Sequence, residues 1–137
     1  MSDMSSALGI AASGLRAQTA RMKVIAENIA NANSTGTTPG AVPYTRQIPI
    51  FRQMVDRETG AAMVRMTGVQ RDQGEFRLRY DPNHPAADGA GMVRLPNVNT
   101  LVESMDMREA QRAYEANLNV VESARAMLTR TIDLLRR

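Results

Sequence analysis

Apolar residues toward the C-terminal end recur by sevens: Met107, Tyr114, Val121, Leu128 and Leu135, with Leu118 and Ile132 four residues after two of them. That spacing predicts one long amphipathic helix over 98–137, with a seam that fits a second helix. Pro96 cannot continue such a helix backwards. Thr100 followed by Glu103 has the form of a capping box, so the helix is expected to begin at Thr100. From there to Leu135 it would run roughly 54 Å, at about 1.5 Å per residue. A compact domain of this size has no need of so long a strut, so the seam points to partners as well as to the chain itself.

A matching pattern lies at the other end. Over 5–33, Leu8, Leu15, Met22 and Ile29 are seven apart, and Ala11 or Ala12, Ile25 and Ala32 supply the alternate row. The run from Leu8 to Leu15 is rich in small residues, which lets a neighbouring helix approach closely at some loss of helix propensity. A hairpin of the two helices is the simplest pairing, and pairing between copies uses the same faces. Asn28, Asn31 and Asn33 crowd the end of this helix before Gly36, Pro39 and Gly40 break it. Asparagine there either closes the helix or, at Asn28 or Asn31, bonds across a helix interface and sets its register.

Between the helices the period changes to two. Glu75–Tyr80 alternates, with Phe76, Leu78 and Tyr80 on one face and Glu75, Arg77 and Arg79 on the other. Tyr44–Val55 and Met63–Val69 are further strand candidates joined by a loop over Asp56–Gly60, and Pro49 restricts the first to an edge or a bulge. Residues 81–91 read as an ordered turn held by Pro82 and Pro85, and Met92–Leu95 as a short strand. The expected fold is therefore α+β: N-terminal helix (1–36), small antiparallel insert (37–97) and C-terminal helix (98–137), the helices pairing as an antiparallel coiled-coil hairpin. So thin a sheet needs something to pack on.

Composition narrows the function. The chain has 137 residues, 43% of them hydrophobic, and no apolar run of the roughly 18 residues that a spanning helix needs. Seventeen basic residues, all arginine except Lys23, stand against fourteen acidic ones. A net charge of +3 without a concentrated basic patch argues against a nucleic-acid partner. The first residues lack the basic start of a cleaved secretory signal, which by itself suggests the cytoplasm. With no cysteine there are no disulfides or thiolate sites.

Chemistry is equally sparse. His84, the one histidine, lies in a proline-rich turn, and its spacing to Asp81 and Asp88 fits a metal site poorly. No phosphate loop or nucleophile elbow is present, and Asp106 and Glu109 sit among arginines on a helix surface. No enzyme, cofactor, metal or small-molecule substrate is expected. What remains is interaction: long seams and a thin sheet mark a partner-binding chain, either an open head-to-tail assembly or a cytosolic helical-hairpin adaptor or chaperone.

Ala-Ser-Gly-Leu-Arg-Ala at 12–17 and Asn-Ile-Ala-Asn-Ala-Asn-Ser-Thr at 28–35 resemble the rod signature of the bacterial flagellar axial proteins. Tyr-Asp-Pro-Asn-His-Pro at 80–85, Leu-Pro-Asn-Val-Asn at 95–99 and Arg-Ala-Tyr-Glu-Ala-Asn at 112–117 resemble the proximal-rod members in particular, and the last of these brings in Asn117. The resemblance implies a structural, torque-transmitting subunit whose terminal helices form the inner layer of a hollow tube. It implies partners among other rod proteins, copies of itself, the membrane ring and rod-base adaptor proteins. It also implies passage through the flagellar type III export apparatus to the periplasmic basal body without a cleaved signal, in place of the cytoplasm. Leu8, Leu15, Met22, Ile25 and Ile29 would then pack on Tyr114, Leu118, Val121, Leu128 and Ile132, with Met107 and Leu135 extending the seam and Asn28 and Asn31 setting register.

Overall fold

Each stretch of heptad repeat forms one unbroken helix, α1 (Ser2–Ala30) and α2 (Thr100–Leu135), in a computed structural model that describes residues 2–136. Between them run β1 (Gln47–Val55), β2 (Ala62–Arg71), β3 (Arg77–Tyr80) and β4 (Met92–Leu95), paired as two two-stranded sheets. The architecture is the expected α+β one of two long helices with a small antiparallel insert. Arg137, at the end of the predicted C-terminal helix, lies outside the described residues. Among the described residues no helix is long and apolar enough to cross a membrane.

The chain forms two compact units, and both helices contribute to each. The first comprises the N-terminal part of α1 through Met22, Ile50–Gly68 and α2 from Arg108 onward. Its core is built of small side chains: Ala11, Ala17, Ala110 and Ala124 are buried. Gly14 lies directly on Asn117, and Arg21 meets Glu109 at 3.5 Å, so the two helices run antiparallel here. The tip of the β1/β2 hairpin turns at Asp56–Gly60. The Asp56 N–H donates to the Ala61 carbonyl (2.9 Å), and Gly60 adopts φ 70°, a left-handed conformation open to glycine. This hairpin rests on α1, where the Val64 N–H donates to the Ser13 hydroxyl at 3.3 Å.

The second unit comprises Lys23–Pro49 and Val69–Met107. β3 and β4 pair antiparallel, Arg77 opposite Leu95 and Tyr80 opposite Met92. Val93, Leu95, Pro96 and Val98 supply the buried apolar centre, whereas Leu78 and Tyr80 stay exposed. The apolar face of β3 thus remains in solvent, and Arg77 on its other face reaches inward to the carbonyls of Ala32 (2.8 Å) and Pro96 (3.1 Å). Residues 81–91 are tied by successive turns, with the Asp88 carboxylate accepting from the N–H groups of Ala90 and Met92.

The end of α1 and the cap of α2 differ from the sequence reading. α1 ends at Ala30, because the next residues close it: Asn31 still donates to the Glu27 carbonyl, and Ala32 donates three residues back to Ile29 in a tighter turn. α2 does start at Thr100, but its cap is Asn99, whose side-chain oxygen accepts from the N–H groups of Leu101 (3.1 Å) and Val102 (3.4 Å). Glu103 does not complete a capping box. Its carboxylate is turned inward and held by another partner.

Candidate functional site

Glu103 is 1% exposed, and it stands at the start of a row that continues through Ala110, Asn117, Ala124 and Thr131. These residues are three after Met107, Tyr114, Val121 and Leu128 or four before them, so the two rows together make the inward seam of α2. The sequence reading had placed the second row at Leu118 and Ile132, one position further on. In the chain itself Leu118 and Ile132 are exposed, at 36% and 44%. The inner row is small or polar, which hid it from a search for large apolar repeats.

In the second unit this seam ends in a polar lock. The Arg46 Nε donates to Glu103 Oε1, and its guanidinium also meets Asp72 at 3.1 Å and Asp106 at 3.7 Å. Burial works against the Arg46 charge, but hydrogen bonds and charge from Glu103 and Asp72 outweigh it and raise its pKa. The Asp72 carboxyl is held below its ordinary pKa, first by the Gly74 N–H and then by Arg46. Burial, with the negative charges of Glu27 and Glu103, pushes the Tyr44 hydroxyl up.

Asn28, 1% exposed, sits against this lock with both ends of its amide used. Its nitrogen donates to the Gln47 carbonyl (2.9 Å) and to Glu103 (3.5 Å), and its oxygen accepts from Tyr44 Oη (2.8 Å) and the Gln47 N–H (2.9 Å). It therefore links α1, α2 and the first residue of β1. Asn31 donates to the Glu27 carbonyl and accepts from Ser34, both close to it in sequence. Asn97 joins the base of the hairpin from the other side, accepting from the Arg46 N–H at 2.8 Å and donating to Asp72 and Gly74 carbonyls.

Ile25 is buried, and Leu8, Leu15, Met22, Ile29, Met107, Tyr114, Asn117, Val121 and Leu128 are half-buried. Leu135 is 76% exposed. Gly14 matches the small-residue reading of α1: a Cβ there would stand 2.7 Å from the Asn117 side chain. Arg46, Asp72, Tyr44, Gln47 and Asn97 were absent from the sequence-derived set. Their only legible signal was Glu103, an acid on the heptad row of a helix seam.

His84 is a structural clip. Its Nδ1 accepts from the Ala86 N–H (2.9 Å), which leaves Nε2 to donate to Thr35 Oγ1 (3.2 Å) and ties the 81–91 turn to the exit of α1. Among the described residues no group of three or more His, Cys, Asp or Glu could hold a metal ion.

Exposed apolar side chains complete the picture. Leu101, Met105, Val120, Met127 and Leu134 of α2 all lie in solvent, alongside an inner seam that is already occupied. Long paired helices with a polar register lock and an uncovered outer surface define a structural, assembling protein. A family model described as flagella basal body rod protein matches residues 8–37, and one described as the C-terminal part of flagellar basal body rod FlgEFG protein matches residues 90–134.

The chain is 48% identical to the flagellar basal-body rod protein FlgC of Agrobacterium fabrum, over 99% of its own length and 98% of the relative's. It is 38% identical to FlgC of Borreliella burgdorferi (95% and 96% covered) and 37% identical to FlgC of Salmonella typhimurium (91% and 92%). The chain belongs to the FlgC family of flagellar basal-body rod proteins. The rod assignment of these relatives sets aside the cytosolic adaptor.

Proposed function

We propose that the chain is a subunit of the proximal rod, packing helically with copies of itself and with other rod proteins to carry torque from the membrane ring to the hook. The observation that carries this reading is the outer face of α2, where large apolar side chains stand in water although the inner seam is filled. Helices held in one register by Asn28, Arg46 and Glu103 resist sliding past each other, which suits a part that transmits twist. At its lower end the subunit meets the membrane ring and rod-base adaptor proteins. It reaches the periplasmic basal body through the flagellar type III export apparatus without a cleaved signal, and a core made largely of alanine and polar groups suits a chain that must travel unfolded. Leu8, Leu15, Met22, Ile25 and Ile29 on α1 and Tyr114, Val121 and Leu128 on α2 form the seam, and Leu118, Ile132 and Leu135 are left to neighbouring subunits.

Placing a charge in the seam tests the reading. Val121→Glu is expected to abolish motility and remove the chain from high-salt-washed basal bodies, while the protein is still expressed and exported. Normal motility in this variant would sink the seam. Absence of the native chain from purified basal bodies would sink the rod assignment itself.

A further inference from the structure

We propose that Met63 is a reversible oxidation site, with a hydroperoxide as the oxidant, whose state fastens or frees the β1/β2 hairpin on α1. Within the first compact unit this hairpin rests on the helix mainly by packing. Among the described residues, the only hydrogen bond between 50–68 and 2–22 runs from the Val64 N–H to the Ser13 hydroxyl, at 3.3 Å. Met63 is the next residue in the chain. A Cβ built on Gly9 would stand 3.0 Å from the Met63 Cε, so the thioether methyl lies against bare helix backbone. The same side chain is half-buried and lines two clefts, of about 450 and 420 Å³. A solute as small as hydrogen peroxide therefore has a path to the sulfur.

The chemistry is a two-electron oxygen transfer. A sulfur lone pair attacks the terminal oxygen of the peroxide, the O–O bond breaks as the S–O bond forms, and the proton on that oxygen passes to the oxygen that leaves. Sulfur is oxidised to the sulfoxide, and the peroxide is reduced to an alcohol, or to water when it is hydrogen peroxide. The new oxygen is a hydrogen-bond acceptor set against a surface with no donor to offer. The α1 N–H groups around Gly9 are used within the helix, and the Ser13 hydroxyl already donates to the Ile10 carbonyl at 2.7 Å. Arg16 and Arg65 line the larger cleft but are exposed, so they meet the oxygen only once it has turned outward from Gly9. Keeping the oxygen buried and unpaired costs more than the thioether packing returned, and the hairpin lifts.

With no cysteine in the chain, methionine is what peroxide oxidises. The purified full-length chain is treated with rising hydrogen peroxide, oxidation is mapped residue by residue by mass spectrometry, and hydrogen exchange over 50–68 is read on the same samples. Met54, Met105 and Met127, at 46%, 62% and 58% exposed, should oxidise first and leave that exchange unchanged. As Met63 oxidises, exchange over 50–68 should rise about tenfold, the effect of one buried polar group left unpaired. Methionine sulfoxide reductases for the two epimers should reverse the rise. Met63→Leu, a swap close in volume, should remove the response. Met66→Leu, and a triple variant carrying Met54→Leu, Met105→Leu and Met127→Leu, should keep it. These variants leave the contact with Gly9 unchanged, so a Met63 variant that docks poorly cannot mask the answer.

Four results would overturn the inference. The first is Met63 staying reduced after the three exposed methionines are fully oxidised, while it does oxidise in the urea-unfolded chain. The second is oxidation of Met63 without faster exchange over 50–68, or a rise that the reductases do not reverse. The third is faster exchange that tracks the exposed methionines in advance of Met63. The fourth is loss of the response in Met66→Leu, which moves the site to Met66. All are read on the isolated chain, so they leave the rod reading untouched, and failure of that reading leaves this inference standing.

Discussion

Gly14 shows how much one side chain decides. Its missing Cβ is where the Asn117 amide lies, and neither helix can retreat without opening the alanine core around Ala11, Ala110 and Ala124. Gly14→Ala gains helix propensity but must push aside the Asn117 amide, the movable end of a side chain bonded to the Ala113 carbonyl, so it should destabilise the chain by no more than about 1 kcal/mol. Urea unfolding measures this, and Asn117→Ala added to it should recover part of the loss. Asp72 predicts a pH dependence. Its folded pKa is below the unfolded one, so its stabilisation is complete above the ordinary carboxylate range and is lost as pH falls through the folded value. Asp72→Asn should flatten the acid side of a melting-temperature profile while lowering stability near neutrality. An unchanged acid limb would show that other carboxylates govern it.

For the elements, the informative case is the start of α2. The sequence contains two polar residues in succession, Asn99 and Thr100, and only the path of the backbone determines which one caps. Asn99 does, and Glu103 is thereby released to the Arg46 lock. Asn99→Ala is expected to cost about 1 kcal/mol, read as a lower melting temperature and fraying of the first turn, whereas Thr100→Ala should have a much smaller effect. The strands were readable from alternation and turn residues to within a few positions. What alternation did not show is which face points inward. In β3 the apolar face is outside, because the two-stranded sheet has too little area to bury both faces and Arg77 already serves the carbonyls of Ala32 and Pro96.

On the scale of the whole molecule, the proposed assembly face is separate from the surfaces that hold the chain folded. Met105 is 62% exposed, so Met105→Glu should change the stability of the isolated chain by no more than about 0.5 kcal/mol. If the outer face of α2 is an assembly face, the same variant should enter basal bodies poorly. Denaturant unfolding of the purified chain and its amount in isolated basal bodies measure the two effects separately, and normal incorporation would remove Met105 from that face.

The two helices, their lengths, the strand positions and the family were determined by the sequence alone, because heptads, alternation, turn residues and short motifs are local or periodic signals. Tertiary structure decided the inner row of α2, the Asn28–Arg46–Glu103 lock and the Gly14–Asn117 contact. Each depends on small or polar residues far apart in the chain, whose burial follows only from what packs against them. A buried acid looks like a surface acid until its arginine, 57 residues away, is in place.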